Sequence, residues 1–344
     1  MQNKKKNLLN VLFLILVFAL TIYFVLRGED LSQILDTMTA ADPFWLLGGG
    51  ACVVLFIYGE SAVLHYLFHT LRIEVKRSVC FLYSGVGFFF SCITPSASGG
   101  QPAQILYMRK DRIPVPVATV VLMIVTITYK LVLVLIGFFM ILFEKTYLDH
   151  YLSDVLPIFY LGLVLNVVCI GAMLVLVFDT TLAGRIVHFL LNLLEHTGLI
   201  KNKDKMNHLR MRMAGTMDNY AATAAYLKHH YGVLVRVFLI TFLQRAVLFL
   251  TTYFVYRAFG FSEKSWFEIM ILQASISIAV DMLPLPGGMG ISEHLFLHIF
   301  EVIFYGDYLI PGMILSRGLA YYVQMLLGGC MTAAAQIRIC RRAE

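Results

Sequence analysis

The sequence predicts an all-α multi-pass membrane protein with about six full transmembrane helices, and three observations support this fold class. Of the 344 residues, 59% are hydrophobic and 14% are charged, and the mean hydropathy is +0.78, which is far from the composition of a soluble domain. The apolar residues form continuous runs of roughly 20, the length of a membrane-spanning helix, and lack the alternation of a β-barrel. Lys and Arg cluster between these runs, as in cytoplasmic loops.

The predicted spans follow the hydropathy of the chain in order. The first run, about 7–26, comes directly after Lys4, Lys5 and Lys6 and is followed by no signal-peptide cleavage pattern. We therefore expect an uncleaved span with a cytoplasmic N-terminus. Basic residues after the last span place the C-terminus on the same side. The other full spans are predicted at about 43–68, 115–142, 155–178, 231–256 and 311–337.

The segment 179–230 is rich in Lys and Arg and is predicted to be a cytoplasmic linker. Part of it is amphipathic, so we expect it to lie along the membrane surface. No stretch is long and polar enough to form a separate soluble domain. The whole chain, 1–344, is therefore predicted to form a single membrane domain.

The sequence C-I-T-P-S-A-S-G-G-Q-P at 92–102 interrupts an apolar segment. The apolar arm before it, about 79–94, would reach about 24 Å as a helix, less than the hydrocarbon core of about 30 Å. The arm after it is shorter and ends at the basic cluster 109–112. Since basic residues flank the segment on both sides, the pattern predicts a re-entrant helical hairpin that opens from the cytoplasm.

A second break, L-P-L-P-G-G at 283–288, separates apolar arms at about 266–283 and 289–305. Asp307 and the absence of a basic cluster in the sequence favour a re-entrant hairpin that enters from outside. Each arm is nearly long enough to cross the membrane, however. Two full crossings would also leave the C-terminus inside, so this alternative stays open.

The two breaks predict an inverted-topology repeat, with a first unit at 43–142 and a second at 231–337. Gly287 follows Gly99 by 188 residues, and the same shift carries the span 43–68 onto 231–256, which runs in the opposite direction. The alternative is a pair of helix kinks, because Pro and Gly are common in transmembrane helices.

Broken helices at membrane depth predict a binding site. Non-helical backbone is tolerated there when it is buried in protein or lines a water-filled cavity. Helix N-termini that begin near Gly100 and Gly288 would present N–H groups and positive dipole ends, which predicts an anion site with alternating-access geometry. The residues of the two breaks assigned to this path are Pro95, Ser96, Ser98, Gly99, Gly100, Gln101, Gln104, Pro284, Pro286, Gly287 and Gly288.

Charged residues inside the predicted spans or beside the breaks complete the candidate site. The cations Lys130 and Arg245 lie near the middle of their spans and suit a phosphate, Lys as a point charge and Arg as a bidentate donor. The alternative is that either cation simply neutralises one of the acids. Glu293 lies in the first turn after the second break, where a carboxylate favours the helix dipole and serves as a cap, and a proton-carrier role is the alternative. The intramembrane acids are Glu60, Asp281 and Glu293.

The sequence predicts no catalytic residue, cofactor or metal site. The six cysteines form no C-x-x-C, and His294 and His298 lack the H-E-x-x-H order and a third ligand. No phosphate-binding P-loop and no nucleophile elbow is present in the sequence. The net charge of +6 is explained by the cytoplasmic loops, so no nucleic-acid partner is expected.

The motifs at the two breaks resemble a known family, the lysylphosphatidylglycerol synthase transmembrane-region proteins. These proteins resemble the lipid-flipping half of the bacterial multiple-peptide-resistance factors. The likeness covers nearly the whole chain. It rests on the segments Pro95–Pro102, Leu106–Lys110, Ile113-Pro114 before Ala118, and Pro284–Glu293.

The resemblance implies a protein of the bacterial cytoplasmic membrane that translocates or binds anionic or aminoacylated phospholipids and supports resistance to cationic antimicrobial peptides. The alternative is a phosphatidylglycerol lysyltransferase or a membrane subunit of such an enzyme. Because the soluble aminoacyl-transferase domain of the full-length factors is absent from this sequence, we expect no synthase activity of the chain alone. The expected partners are membrane phospholipids, a separate lipid-modifying enzyme and a second copy of the chain.

Overall fold

The computed structural model describes residues 31–94, 97–179, 181–182, 184–185, 189, 217–285 and 288–343. Most of these residues are helical, and none of them lies in a β-strand. The helices are α1 (Leu31–Thr39), α2 (Pro43–Thr70), α3 (Arg77–Cys92), α4 (Gly100–Lys110), α5 (Val115–Phe143), α6 (Lys145–Tyr151), α7 (Leu156–Phe178), α8 (Tyr231–Ala258), α9 (Trp266–Val280), α10 (Ile291–Ile299), α11 (Leu309–Arg317) and α12 (Gln324–Ala343). A 3₁₀ turn, Gly306–Tyr308, precedes α11, and a π-helical segment, Gly318–Val323, joins α11 to α12.

Within the described ranges, five segments are long and apolar enough to cross a membrane: α2, α5, α7, α8 and the continuous segment Gly306–Arg341. They confirm the all-α multi-pass fold class and five of the predicted full spans. The predicted span 7–26 and most of the linker 179–230 lie outside the described residues. Within the linker, residues 217–229 are helical, and the Tyr220 hydroxyl donates to the Leu176 carbonyl of α7 at 2.9 Å.

Local sequence signals set several helix ends. Asp42 caps α2, because its carboxylate accepts the N–H of Phe44 at 2.8 Å, and Pro43 occupies the first turn, where no N–H is needed. Ser265 caps α9 in the same way and accepts the N–H of Glu268 at 3.1 Å. Pro114 comes immediately before α5, at a point where an earlier helix could not continue.

Both predicted breaks separate pairs of short helices. At 1.5 Å per residue, the 16 residues of α3 reach about 24 Å and the 11 residues of α4 about 17 Å, and neither crosses a hydrocarbon core of about 30 Å. The two helices pack closely, since a Cβ on Gly100 would lie 2.7 Å from the Gly87 carbonyl oxygen.

The second break differs from the sequence expectation at its C-terminal side. A helix beginning near Gly288 and an arm reaching 305 were expected, but α10 runs only from Ile291 to Ile299. Gly288 and Gly290 have φ values of +67° and +87°, which a right-handed helix cannot include. The helix therefore begins after the second of these glycines.

The helices pack reciprocally around the centre of the molecule. Helices α2 and α8, the first spans of the two predicted repeat units, run against each other. Helix α3 of the first break packs on α12 of the second unit, and α9 of the second break packs on α5 of the first. The inverted-topology repeat, with units at 43–142 and 231–337, stays a prediction.

Candidate functional site

A central cavity of about 430 Å³ lies between α2, α3, α4, α5 and α8. Its floor and walls include aromatic and apolar side chains, but a row of polar and charged groups also faces it. The charged and polar residues of the candidate site that line it are Glu60, Ser98, Gln101, Gln104, Lys130, Arg245 and Asp281. Residues far apart in the sequence thus meet at one place, and both cations predicted from the sequence are among them.

Lys130 projects from the middle of α5 and is buried, with 7% of its surface exposed. Its ammonium group lies 2.5 Å from Oδ2 of Asp281, at the end of α9, and 3.3 Å from Oδ1 of Asn166 in α7. Asp281 also accepts the hydroxyl of Tyr129. Lys130 is therefore neutralised by a carboxylate of its own chain. For either cation, the sequence had left this open as the alternative to phosphate binding.

Arg245, the other cation of the cavity, is partly exposed, and none of the ion pairs within the described ranges includes it. Its Nε is buried and has no hydrogen-bond partner there either. The guanidinium carbon lies 3.5 Å from the ring centroid of Tyr129 and 4.9 Å from that of Phe56, so aromatic faces hold it in place.

Glu60 supplies the second carboxylate of the cavity. It comes from the middle of α2 and is buried, and its Oε1 accepts a hydrogen bond from the Gln104 amide at 2.8 Å. The same amide donates to the Tyr83 carbonyl at 3.1 Å, so Gln104 ties α4 to both α2 and α3. Glu60 and Arg245 thus place an acceptor and a donor of opposite charge in one polar space.

The first break contributes to the same space. Ser98 and Gln101 line the cavity, and the Gln101 amide donates to the Thr126 hydroxyl of α5. The N–H of Gly99 donates to the Thr94 hydroxyl at 2.9 Å, which closes the turn before α4. Gly100 is buried at the first position of α4. Pro95 and Ser96 lie outside the described residues.

The second break reaches the cavity through Asp281 and Met282, at its beginning. Pro284 is exposed and Gly288 is buried, and neither lines the cavity, while Pro286 and Gly287 lie outside the described residues. Among the described residues, the start of α10 does not line this cavity.

Glu293 lies away from the cavity and completes the N-terminus of α10. Its Oε2 accepts the N–H of Gly290 at 2.7 Å and the hydroxyl of Ser292 at 2.9 Å. Its Oε1 lies 2.8 Å from Nε of Arg317, near the π-helical segment of the last span. This carboxylate occupies the helix end that the sequence predicted for an external anion.

Sequence reasoning missed three polar residues of the site. Tyr129 stacks on Arg245 and bonds to Asp281, Asn166 accepts from Lys130, and Thr126 accepts from Gln101. Each is a polar residue within a long apolar span, and that exception was the available signal. Their roles depend on which helix faces which.

Metal chemistry has little support in the described part of the chain. It contains no group of three or more His, Cys, Asp or Glu side chains arranged to hold a metal ion. The rings of His294 and His298 lie 4.9 Å apart, and the nearest acid to His298 is Asp154, at 4.0 Å.

A family model described as "Lysylphosphatidylglycerol synthase TM region" matches residues 10–328 of the chain. The match includes both breaks and every charged residue of the central cavity. No curated protein matches the chain.

Proposed function

The chain belongs to the family of the lysylphosphatidylglycerol synthase transmembrane region, and from this premise we propose that it translocates phospholipids with anionic or aminoacylated head groups. The central cavity receives the head group, and the acyl chains stay in the surrounding bilayer. We place the protein in the bacterial cytoplasmic membrane with both termini in the cytoplasm, where translocation of such lipids would support resistance to cationic antimicrobial peptides.

The guanidinium of Arg245 carries this proposal, because it forms no ion pair among the described residues and its Nε is buried there without a hydrogen-bond partner. A buried donor without a partner is costly, and a bound anion removes that cost. The phosphodiester of a phospholipid fits a guanidinium because two parallel N–H donors meet two phosphate oxygens. Lys130 is already paired with Asp281, so Arg245 is the primary phosphate ligand in the proposed complex.

Glu60 extends the proposal to aminoacylated lipids. An aminoacyl head group carries an ammonium as well as a phosphate, and the cavity holds the Glu60 carboxylate beside the Arg245 cation. In this arrangement Arg245 binds the phosphate and Glu60 accepts the ammonium. Ser98 and Gln101 add neutral polar groups at the first break, where the head group would pass.

A second candidate function is a membrane part of a lipid-modifying enzyme, because the description of the family names a synthase. In that case the cavity would hold the lipid acceptor while a separate protein supplies the activated amino acid. Transfer of lysine from charged tRNA to phosphatidylglycerol by the purified chain alone would favour the enzyme over the translocase.

The test of translocation compares two arginines of the same helix. The purified protein is reconstituted in liposomes that contain a fluorescent phosphatidylglycerol. An impermeant quencher added outside then reports the rate at which the fluorescent lipid moves from the inner leaflet to the outer leaflet. Arg245→Gln is expected to slow this rate at least about tenfold, the effect of losing one charged hydrogen bond of about 1.4 kcal/mol.

Arg257→Gln is the matched control. Arg257 also lies in α8, its Nε is also buried without a partner among the described residues, and its guanidinium lies 4.7 Å from the Trp45 ring, but it does not line the cavity. It should keep the wild-type rate. Equal rates for wild type and Arg245→Gln, or equal losses in both variants, would contradict the proposed role of the cavity.

A further inference from the structure

A second cavity, of about 390 Å³, lies on another face of α2, away from the central cavity. The two cavities draw on neighbouring residues of this helix, since Glu60 faces the central one and Ser61 lines the second. The polar side chains that line the second cavity are Tyr58, Ser61, His65, Tyr66, His69 and Arg77.

The chemistry of this second cavity is basic. The rings of His65 and His69 lie one helical turn apart, with centroids separated by 6.3 Å and planes inclined by 18°. Arg77, the first residue of α3, faces them, and Arg236 of α8 lies 5.4 Å from the Tyr66 ring at the edge of the cavity. In the described part of the chain no carboxylate lines this space.

The same face of α2 becomes apolar towards the middle of the helix. Val54, Leu55 and Tyr58 are 45%, 55% and 50% exposed. Val54 and Tyr58 lie about two to four turns before the histidines on the same stripe, and Leu55 flanks it. A residue stripe that is apolar at membrane depth and basic at the end of the span matches a phospholipid, with its acyl chain on the apolar part and its phosphate at the basic end.

We propose that this second cavity, formed by His65, His69 and Arg77, binds the phosphate of an anionic phospholipid at the membrane surface. The basic loops place this end of α2 on the cytoplasmic side. Free inorganic phosphate shares the same chemistry, but the exposed apolar stripe favours the lipid. The site holds its lipid outside the translocation path, and the proposal stands whether or not the central cavity translocates lipid.

The experiment counts bound lipids on the full chain. Delipidated protein in detergent is titrated with short-chain phosphatidylglycerol, with short-chain phosphatidylcholine and with inorganic phosphate, and native mass spectrometry measures each bound species. The variant His65→Gln/His69→Gln/Arg77→Gln is compared with Arg109→Gln/Lys110→Gln/Arg341→Gln, which removes three exposed basic residues elsewhere. Both are made in the wild-type and in the Arg245→Gln background, so that lipid bound in the central cavity is counted separately.

The first variant is expected to lose one bound phosphatidylglycerol, or to bind it at least about tenfold more weakly, in both backgrounds. The control keeps the full number, and phosphatidylcholine shows no difference between the variants. If the triple variant fails to fold, Arg77→Gln alone changes an exposed side chain and should weaken binding about fivefold.

Two results would overturn the proposal. One is an unchanged lipid count and affinity in the triple variant. The other is inorganic phosphate that binds as tightly as the lipid and displaces it, which would assign the cavity to the free anion. Failure of Arg245→Gln to affect translocation leaves these outcomes unchanged, so the two proposals fail separately.

Discussion

The ammonium of Lys130 lies 2.5 Å from Oδ2 of Asp281, and this ion pair joins the middle of α5 to the residue at which α9 ends. The pair fixes the beginning of the second break against a span of the first predicted repeat unit. It also neutralises one of the two cations that line the central cavity, while Arg245 forms no ion pair among the described residues.

The first prediction concerns this ion pair. Lys130→Met or Asp281→Leu alone leaves a buried charge without its partner, and each should lower the free energy of unfolding by about 3 kcal/mol or more. The double variant Lys130→Met/Asp281→Leu removes both charges and should be more stable than either single variant. Thermal unfolding in detergent measures the three changes.

The same double variant separates stability from transport. If Arg245 is the phosphate ligand, the double variant keeps at least half of the wild-type translocation rate. A double variant that is as stable as wild type yet inactive would assign a direct role in lipid binding to Lys130 as well.

The second prediction concerns the amide that supports Glu60. Gln104→Leu keeps a similar side-chain volume but leaves Glu60 and the Tyr83 carbonyl without the donor that now serves both. Stability should fall by about 2 kcal/mol. Gln336→Leu, at an exposed position, removes the long hydrogen bond that the Tyr107 hydroxyl donates at 3.3 Å, and should change stability by less than about 1 kcal/mol. Equal effects of the two substitutions would show that the two Gln104 bonds contribute no more than this long bond.

The third prediction tests the close approach of α4 to α3. Gly100→Ala places a Cβ 2.7 Å from the Gly87 carbonyl oxygen, and because this neighbour is backbone, the two helices must separate. A loss of about 1–3 kcal/mol is expected. In the control, Gly171→Ala, the new Cβ has no atom within 4 Å, so stability should stay the same or rise slightly. A neutral Gly100→Ala would mean that the hairpin packs more loosely.

The fourth prediction concerns pH and the loop before α9. Hydrogen bonds from Lys264 to Tyr151 at 2.9 Å and to Glu268 at 3.1 Å raise the pKa of Lys264 above its ordinary value of 10.5. A group whose pKa is raised by folding stabilises the folded state below its unfolded pKa, and this contribution is lost as the pH rises through the folded value. Wild type should therefore unfold at a higher temperature than Lys264→Met at pH 8.

Above pH 10.5 this difference in unfolding temperature between wild type and Lys264→Met should shrink. Lys145→Met, in the neighbouring helix α6, removes a lysine that forms no ion pair among the described residues. Its difference from wild type should stay constant over the same pH range. If the difference in unfolding temperature between wild type and Lys264→Met does not change with pH, the raised pKa of Lys264 is contradicted.

The sequence was most informative where one physical rule dominates. Backbone groups inside a bilayer must be bonded within the segment, so apolar runs of roughly 20 residues predict helices, and α2, α5, α7 and α8 lie within a few residues of the predicted limits. The first break was also predictable, because Pro and paired Gly cannot continue a helix unaltered. The start of α10 was not, since the φ values of Gly288 and Gly290 depend on how the turn packs.

The sequence by itself identified the candidate residues, which are a small number of charges in apolar spans together with two Pro/Gly breaks. Only the tertiary structure decided how these charges combine, because the choice of partner depends on helix packing and rotation. The acids Glu60, Asp281 and Glu293 could pair in several ways with the cations Lys130, Arg245 and Arg317. The packing of α5 against α9 joins Lys130 to Asp281, and the turn before α10 joins Glu293 to Arg317. Arg245, held between Tyr129 and Phe56, faces the cavity without a carboxylate partner among the described residues, because no helix places one within ion-pair distance.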